Sequence, residues 1–427
     1  MSNAAPDGRQ RSSAFRESLK LLGARRFGTF CFASLLSNMG TWAQQVAEPW
    51  LLLAIGASPF ILGLDSFAGG APVFLLTLVG GILADRRDRR HIITIFQSIQ
   101  ALCPATLIVL LVTGAVRPWM VIVLSLIVGI TDAISMPSFQ SIVPSIVERR
   151  QISAALALTS TQFNISRILG PAVAGAVMTA VGAVGCFALN TLSYIPFIAV
   201  ALWILPRRGP VVAARDRSGR RRLLAGVRFA ARDPMLRGAL ATVLVSSVLC
   251  GPLVTFSPLL VKEVFRRDVS SFSIAITSFG IGGLVGAVVL LGIDAARDRR
   301  PIGSHFAAAY AVSLMLIALD PWFWALPLLL ILAGFAMTAS NTSANTLLQA
   351  MAPDRFRGQT VSLYMLAMRG GISSGALLTG ASIHLLGVRP ALFINGLLAA
   401  VLQLIVGRRW LSPTTTLPDR TQPAAIS

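Results

Sequence analysis

Apolar residues fall along this chain in long blocks, many of them 18 or more positions without a charge, divided by short polar segments rich in arginine. About 20 residues of helix cross the hydrocarbon core of a bilayer, so such blocks read as membrane spans. Lipid offers no hydrogen bonds, so a spanning segment satisfies its backbone within a helix or a closed barrel. Unbroken apolar runs select helices, because barrel strands alternate apolar and polar positions. The pattern predicts twelve spans, at about 28–54, 59–83, 91–113, 119–143, 152–180, 183–205, 237–261, 269–293, 302–319, 322–346, 359–386 and 390–409. The fold class is therefore an all-α membrane protein, with domains expected at 28–205 and 237–410. A cytoplasmic segment (1–27), an Arg-rich linker (206–236) and a tail expected to be disordered (411–427) complete the chain.

Charge refines the picture. Only 13% of the 427 residues are charged, against about a quarter in a soluble domain. The net charge of +20 invites a nucleic-acid reading, which fails because the arginines sit in short loops between apolar runs. With twelve spans, 30 of the Lys and Arg residues fall on the side of the termini and 5 on the other. That asymmetry places both termini in the cytoplasm, in a chain read as a multi-pass protein of a bacterial cytoplasmic (inner) membrane. Within the linker, residues 223–232 alternate apolar and basic positions at helical spacing, as an interfacial helix on anionic lipid would. Cys31, Cys103, Cys186 and Cys250 lie inside apolar runs without metal-ligand spacing, and His91, His305 and His384 are scattered near span ends. Neither a metal site nor a cofactor is implied, and no phosphate-cradling Gly-x-x-x-x-Gly-Lys-Ser/Thr loop occurs.

The two halves repeat. Arg87-Asp88-Arg89-Arg90 recurs as Arg297-Asp298-Arg299-Arg300, and at an offset of 205 Gly129, Gly175 and Asn190 fall on Gly334, Gly380 and Asn395. Two parallel six-span halves with a site near midplane between them are a pattern of secondary transporters.

Gly80-Gly81-Ile82-Leu83-Ala84-Asp85-Arg86-Arg87-Asp88-Arg89-Arg90 joins spans two and three. Gly80 and Gly81 let the end of span two approach a neighbouring helix, and Asp85 suits a helix N-terminus. This segment closely resembles the signature loop of the major facilitator superfamily. The resemblance implies a conformational latch formed by Gly80, Gly81, Asp85, Arg86, Arg89 and Arg90 against the start of span eleven near Gly358 and Gln359. Span five carries Gly170, Pro171 and Gly175, similar to the Gly-Pro motif of the superfamily's antiporters. Ser166 and Ala176 stand where that motif usually has glycine. Pro171 removes a backbone bond and bends the helix, and the small residues permit a tight crossing. Together with Ser37-Asn38-Met39-Gly40-Thr41-Trp42-Ala43-Gln44-Gln45 in span one, the chain resembles the branch that holds the enterobactin exporter and macrolide-efflux carriers.

An ionisable group at the membrane midplane costs at least ~2.5–3.5 kcal/mol and needs a reason to be there. Asp132 and Arg167 lie about midway along spans four and five, where they are placed to pair across adjacent helices. Arg369 takes the place of Arg167 in span eleven, with no acidic partner in its own half, and is expected to face the cavity and an anionic or oxygen-rich substrate. Glu48 and Asp65 come near the outer ends of spans one and two, within reach of headgroup water. Asp132 leads as the proton-coupling carboxylate, followed by Glu48 and Asp65. Asn38, Gln44, Gln45, Gln140, Asn341 and Asn345 are further candidates to line the cavity with Arg167 and Arg369. The expected function is export of a small amphipathic molecule (a drug, a siderophore or a related metabolite) in exchange for protons, by alternating access in a working monomer. An uncoupled lipid or metabolite facilitator is the alternative. A membrane-embedded enzyme is the remote one, since the histidines form no catalytic constellation.

Overall fold

A computed structural model describes residues 20–73, 76, 88–140, 142–203, 228–229, 232–293 and 298–411. Helices occupy each predicted span: α1 (Arg25–Ala54), α2 (Pro59–Gly70), α3 (Arg89–Val112), α4 (Pro118–Gln140), α5 (Ile152–Val181), α6 (Ala183–Trp203), α7 (Pro234–Val264), α8 (Val269–Leu291), α9 (Arg300–Leu319), α10 (Leu326–Met351), α11 (354–386) and α12 (Val388–Trp410). Among the described residues nine of these are long and apolar enough to cross a bilayer. The other three are α1, whose polar side chains include Gln44, Gln45 and Glu48; α5, which carries Arg167; and α2, described only in its first part. The chain is thus a multi-pass membrane protein. The tenth helix starts later than its predicted span, because Asp320 turns the chain by accepting the Trp322 amide at 2.9 Å.

Short side chains set the helix starts. Asp88, Asp233 and Asp268 accept backbone amides at the beginnings of α3, α7 and α8, and Ser58 does so for α2. These bonds satisfy donors that a helix end leaves free. Asp268 accepts the Ser271 amide at 3.0 Å and its hydroxyl at 2.8 Å, and these bonds hold its carboxyl below the usual range. Asp298 is half-buried, which opposes ionisation. The side chain and amide of Arg300 nevertheless hold its carboxyl below the usual range.

The duplication read from the sequence is repeated in space. Within the amino-terminal half α1 packs on α5 and α6, α3 on α4 and α6, and α2 on α4. In the other half α7 packs on α11 and α12, α9 on α10 and α12, and α8 on α10, the same pairs six helices on. The 205-residue landmarks explain why. A Cβ on Gly129 would overlap the Gly69 carbonyl of α2, and one on Gly334 would overlap the Phe279 carbonyl of α8. Gly182 (φ 75°) and Gly387 (φ 87°), also 205 apart, turn the chain between α5 and α6 and between α11 and α12. Both are in the left-handed region, where a Cβ is strained. The repeated Arg-Asp-Arg-Arg does matching work too, with Asp88 accepting the Arg90 amide at 3.0 Å and Asp298 the Arg300 amide at 2.9 Å.

The halves meet along two equivalent seams, α2 against α11 and α5 against α8. Small residues line both: Gly63 abuts the Ala376 carbonyl, and Gly175 abuts Ser273. Contacts near the helix ends close the seams further, with Thr179 and Ser270 hydroxyls 3.0 Å apart and Trp50 stacked on Phe272 at 5.8 Å. Lys262 crosses from α7 to donate to the Leu53 carbonyl at 3.1 Å and lies over the Trp50 ring. All these contacts fall toward the end of the molecule that carries the α1–α2, α7–α8 and α11–α12 turns.

Candidate functional site

Among the described residues three carboxylates bear on the membrane interior, all in the amino-terminal half: Glu48 on α1, Asp65 on α2 and Asp132 on α4. They divide into two places. At the first, Asp132 Oδ2 accepts from Arg369 Nη1 at 3.0 Å. This ion pair joins α4 of one half to α11 of the other. Both side chains are partly exposed, 48% for Asp132 and 37% for Arg369, so the pair is not sealed inside the bundle.

Arg369, expected to face the substrate without an acidic partner, is paired with Asp132 of the other half; the expected pairing of Asp132 with Arg167 falls outside the described residues. The reason is tertiary, because α4 packs on α2 and α2 forms a seam with α11, which leaves the long Arg369 side chain within reach of Asp132. The Arg167 side chain lies outside the described residues. Arg369 sits in a π-helical turn, Leu366–Gly370, opposite a second π turn, Ser246–Cys250 in α7. Such turns insert one residue per turn and re-aim side chains, and are frequent at functional sites. Gly371 and Gly375 allow the two turned helices to touch, against Ser247 and the Val248 carbonyl.

The second place is a polar cluster between α1, α2, α4 and α6. Ser125 donates to Glu48 Oε1 at 2.6 Å, and Gln44 donates to Oε2 at 2.9 Å. The Asn190 amide donates in turn to Gln44 Oε1. Asp65 lies against both Glu48 and Ser125 and is 9% exposed. The expectation that Asp65 reaches headgroup water is therefore corrected, while Glu48 is half-buried. α2 turns Asp65 inward toward α4, away from the face that carries Gly63, and the bundle covers it. From Asn190 the cluster continues to the Tyr194 hydroxyl, which also meets Thr41 and lies within the field of Asp132.

The remaining candidates are dispersed. Asn38 is half-buried on α1 and Gln45 is exposed on that helix. Asn341 accepts the Tyr364 hydroxyl on its backbone carbonyl, while its side-chain oxygen is buried without a partner. Asn345 accepts from Gln349 on its own helix at 3.1 Å. Gln140 closes α4, and its side chain is outside the described residues. So are Gly80, Gly81, Asp85, Arg86 and the side chain of Arg89, hence most of the expected latch. Of that motif, Arg90 is described, with Nε buried and unpartnered. α5 runs unbroken through Pro171, with Gly170 against Trp42 of α1 and Gly175 against α8. All four cysteines are buried and free. Sequence reasoning missed Ser125 and Tyr194, which carry no signal inside apolar runs. Asn190 had one, as a repeat landmark, but its role in the cluster did not follow from it.

A family model described as transmembrane secretion effector matches residues 18–421. The staphyloferrin A transporter of Staphylococcus aureus is 25% identical over 372 residues, 86% of this chain and 92% of that one. The multidrug efflux pump Tap of Mycolicibacterium fortuitum is 26% identical over 373 residues, 83% and 89% of the two chains. Among solved structures, the nucleoside transporter NupG superposes with a TM-score of 0.75 over 91% of this chain and all of its own, at 14% identity. That last likeness is one of fold.

Proposed function

The chain belongs to the transmembrane secretion effector family of the major facilitator transporters, and from that premise we propose that it exports a small amphipathic molecule in exchange for protons by alternating access. The observation that carries this reading is the Asp132–Arg369 ion pair between the halves. Partly exposed and shared by two bundles, it is a contact that cargo or rearrangement can break, whereas a buried pair within one bundle would be fixed. Residues 28–205 and 237–410 rock against each other. In the conformer described here the seams are closed at the end that the charge bias places outside the cell. Relatives whose names denote siderophore transport and multidrug efflux support a cargo of that kind.

The membrane is the bacterial cytoplasmic one, with both termini inside, the 206–236 linker on anionic lipid, and a single chain as the working unit. Arg369 presents its guanidinium to an oxygen-rich cargo once Asp132 lets go. Asp85 and its loop act as the inner latch. Everted vesicles given a panel of a catecholate siderophore, a macrolide and ethidium test the reading. Accumulation of at least one, abolished by a protonophore, is the expected result. Accumulation indifferent to the protonophore would leave an uncoupled facilitator. Asp85→Asn is expected to lower accumulation with little loss of membrane-inserted protein.

A further inference from the structure

The Glu48–Asp65 cluster is short of hydrogen-bond donors. Four carboxyl oxygens gather there, and the donors that reach Glu48 are the Ser125 hydroxyl and the Gln44 amide. Each donates to one Glu48 oxygen, which is how an ionised carboxylate is held, and the Ser125 hydroxyl is shared with Asp65. Asp65 Oδ1 is left buried with no partner, on a side chain that is 9% exposed and lies against Glu48. Buried polar atoms are almost always paired, and when two carboxylates share one site, like-charge repulsion makes one of them hold its proton. One added proton answers both conditions, because it supplies the missing donor and removes one of two like charges.

We propose that Glu48 and Asp65 form a single proton-binding site, holding one proton between them while the α2–α11 and α5–α8 seams are closed. This rests on the exporter reading above and moves the coupling ion from Asp132 to this pair, leaving the Asp132–Arg369 bridge as the gate. The proton resides on Asp65 and donates toward Glu48. No bond other than O–H forms or breaks.

Its surroundings suit a proton more than a metal ion. Among the described residues no third acidic, His or Cys side chain completes a metal-binding group. From α3 the Cys103 thiol lies within the field of Glu48. From α6 the Tyr194 hydroxyl meets Asn190, which holds Gln44. From the other half Lys262 stands over Trp50, two residues beyond Glu48. The route Glu48–Gln44–Asn190–Tyr194 leads toward Asp132, so the proton site and the gate touch a common set of side chains. Trp50 couples the same stretch of α1 to the outer seam through Phe272. Parting that seam admits water to Asp65, and a hydrated carboxyl releases its proton.

Infrared pH-difference spectra of the full-length protein in liposomes, without any cargo, read the site directly. A protonated carboxyl band that titrates is expected. Asp65→Asn removes it, Glu48→Gln shifts it, and Asp132→Asn leaves it in place. Should Asp65→Asn fail to insert, Ser125→Ala, which keeps both carboxyls, still shifts the band. A wild-type spectrum without the band, or a band of full size in Asp65→Asn, overturns the proposal. Displacement of the band by sodium at fixed pH overturns it in favour of a cation site. In everted vesicles, ethidium uptake driven by a pH gradient is expected to fall at least tenfold in Asp65→Asn, while exchange at equal pH persists; undiminished gradient-driven uptake counts against the pair. Because the spectra need no cargo, a band without ethidium transport would sink the exporter reading alone, and transport without a band would sink the pair alone.

Discussion

Loss of the Asp132–Arg369 bridge is expected to loosen the closed seams by a measurable amount. At 3.0 Å the Coulomb energy of two unit charges is about 5 kcal/mol at an effective dielectric constant near 20. Desolvation and the entropy of two side chains oppose it, and side chains 37% and 48% exposed leave it open to screening. Fully exposed pairs contribute about 0.2–1 kcal/mol, and breaking buried ones costs about 3–5 kcal/mol. A pair at this depth lies nearer the lower range, about 1–2 kcal/mol, which is a shift of about 5- to 30-fold in the ratio of open to closed seams. Ala376→Cys provides the reporter, since Ala376 is fully buried against Gly63 of the other half and the four native cysteines are buried. A membrane-impermeant maleimide should label it about 5- to 30-fold faster when Asp132→Asn is added. Exchanging the charges, Asp132→Arg with Arg369→Asp, should return the rate toward that of the unswapped protein. A rate unchanged within twofold in Asp132→Asn, or one the swap does not restore, refutes the bridge as a tie between the halves.

Three further outcomes follow from the same geometry. Gly175→Val places side-chain atoms where Ser273 of α8 already stands; closure of that seam should fail, with export down at least tenfold in vesicles and undiminished protein by immunoblot. Lys262→Ala removes the bond to the Leu53 carbonyl and the charge over Trp50, worth about 1 kcal/mol together; the Ala376→Cys reporter should label about fivefold faster, and Trp50 emission should change. Asp268→Ala removes the cap of α8, a loss of about 0.5–1 kcal/mol. Because the folded carboxyl is held below its unfolded value, the gap in apparent Tm between wild type and variant should be present at neutral pH, above the unfolded value. It should close as pH falls through the lowered one; a gap that persists there rules out the carboxylate cap.

Much of this molecule is legible one segment at a time. A helix across lipid satisfies its own backbone, so apolar run length is sufficient to place the described helix ends within about five residues. The repeat is legible for a related reason: Gly129 and Gly334, or Gly182 and Gly387, answer constraints of close approach and backbone sign that only glycine meets. Polar residues inside the spans are equally visible, because each is costly there. What composition and spacing leave open is the partner. Arg369 finds Asp132 in the other half, Asp65 is covered and lies against Glu48, and Asn190 extends the cluster while its counterpart Asn395 donates to Thr379 of α11. Partner choice depends on helix rotation and on which faces the two bundles press together. Apolar periodicity does not encode that, since lipid and protein interior are alike to a leucine. The sequence by itself thus determined the spans, the duplication and the cost of each buried polar group; packing alone decided which of those groups meet, because it sets the rotation of each helix and the faces that press together.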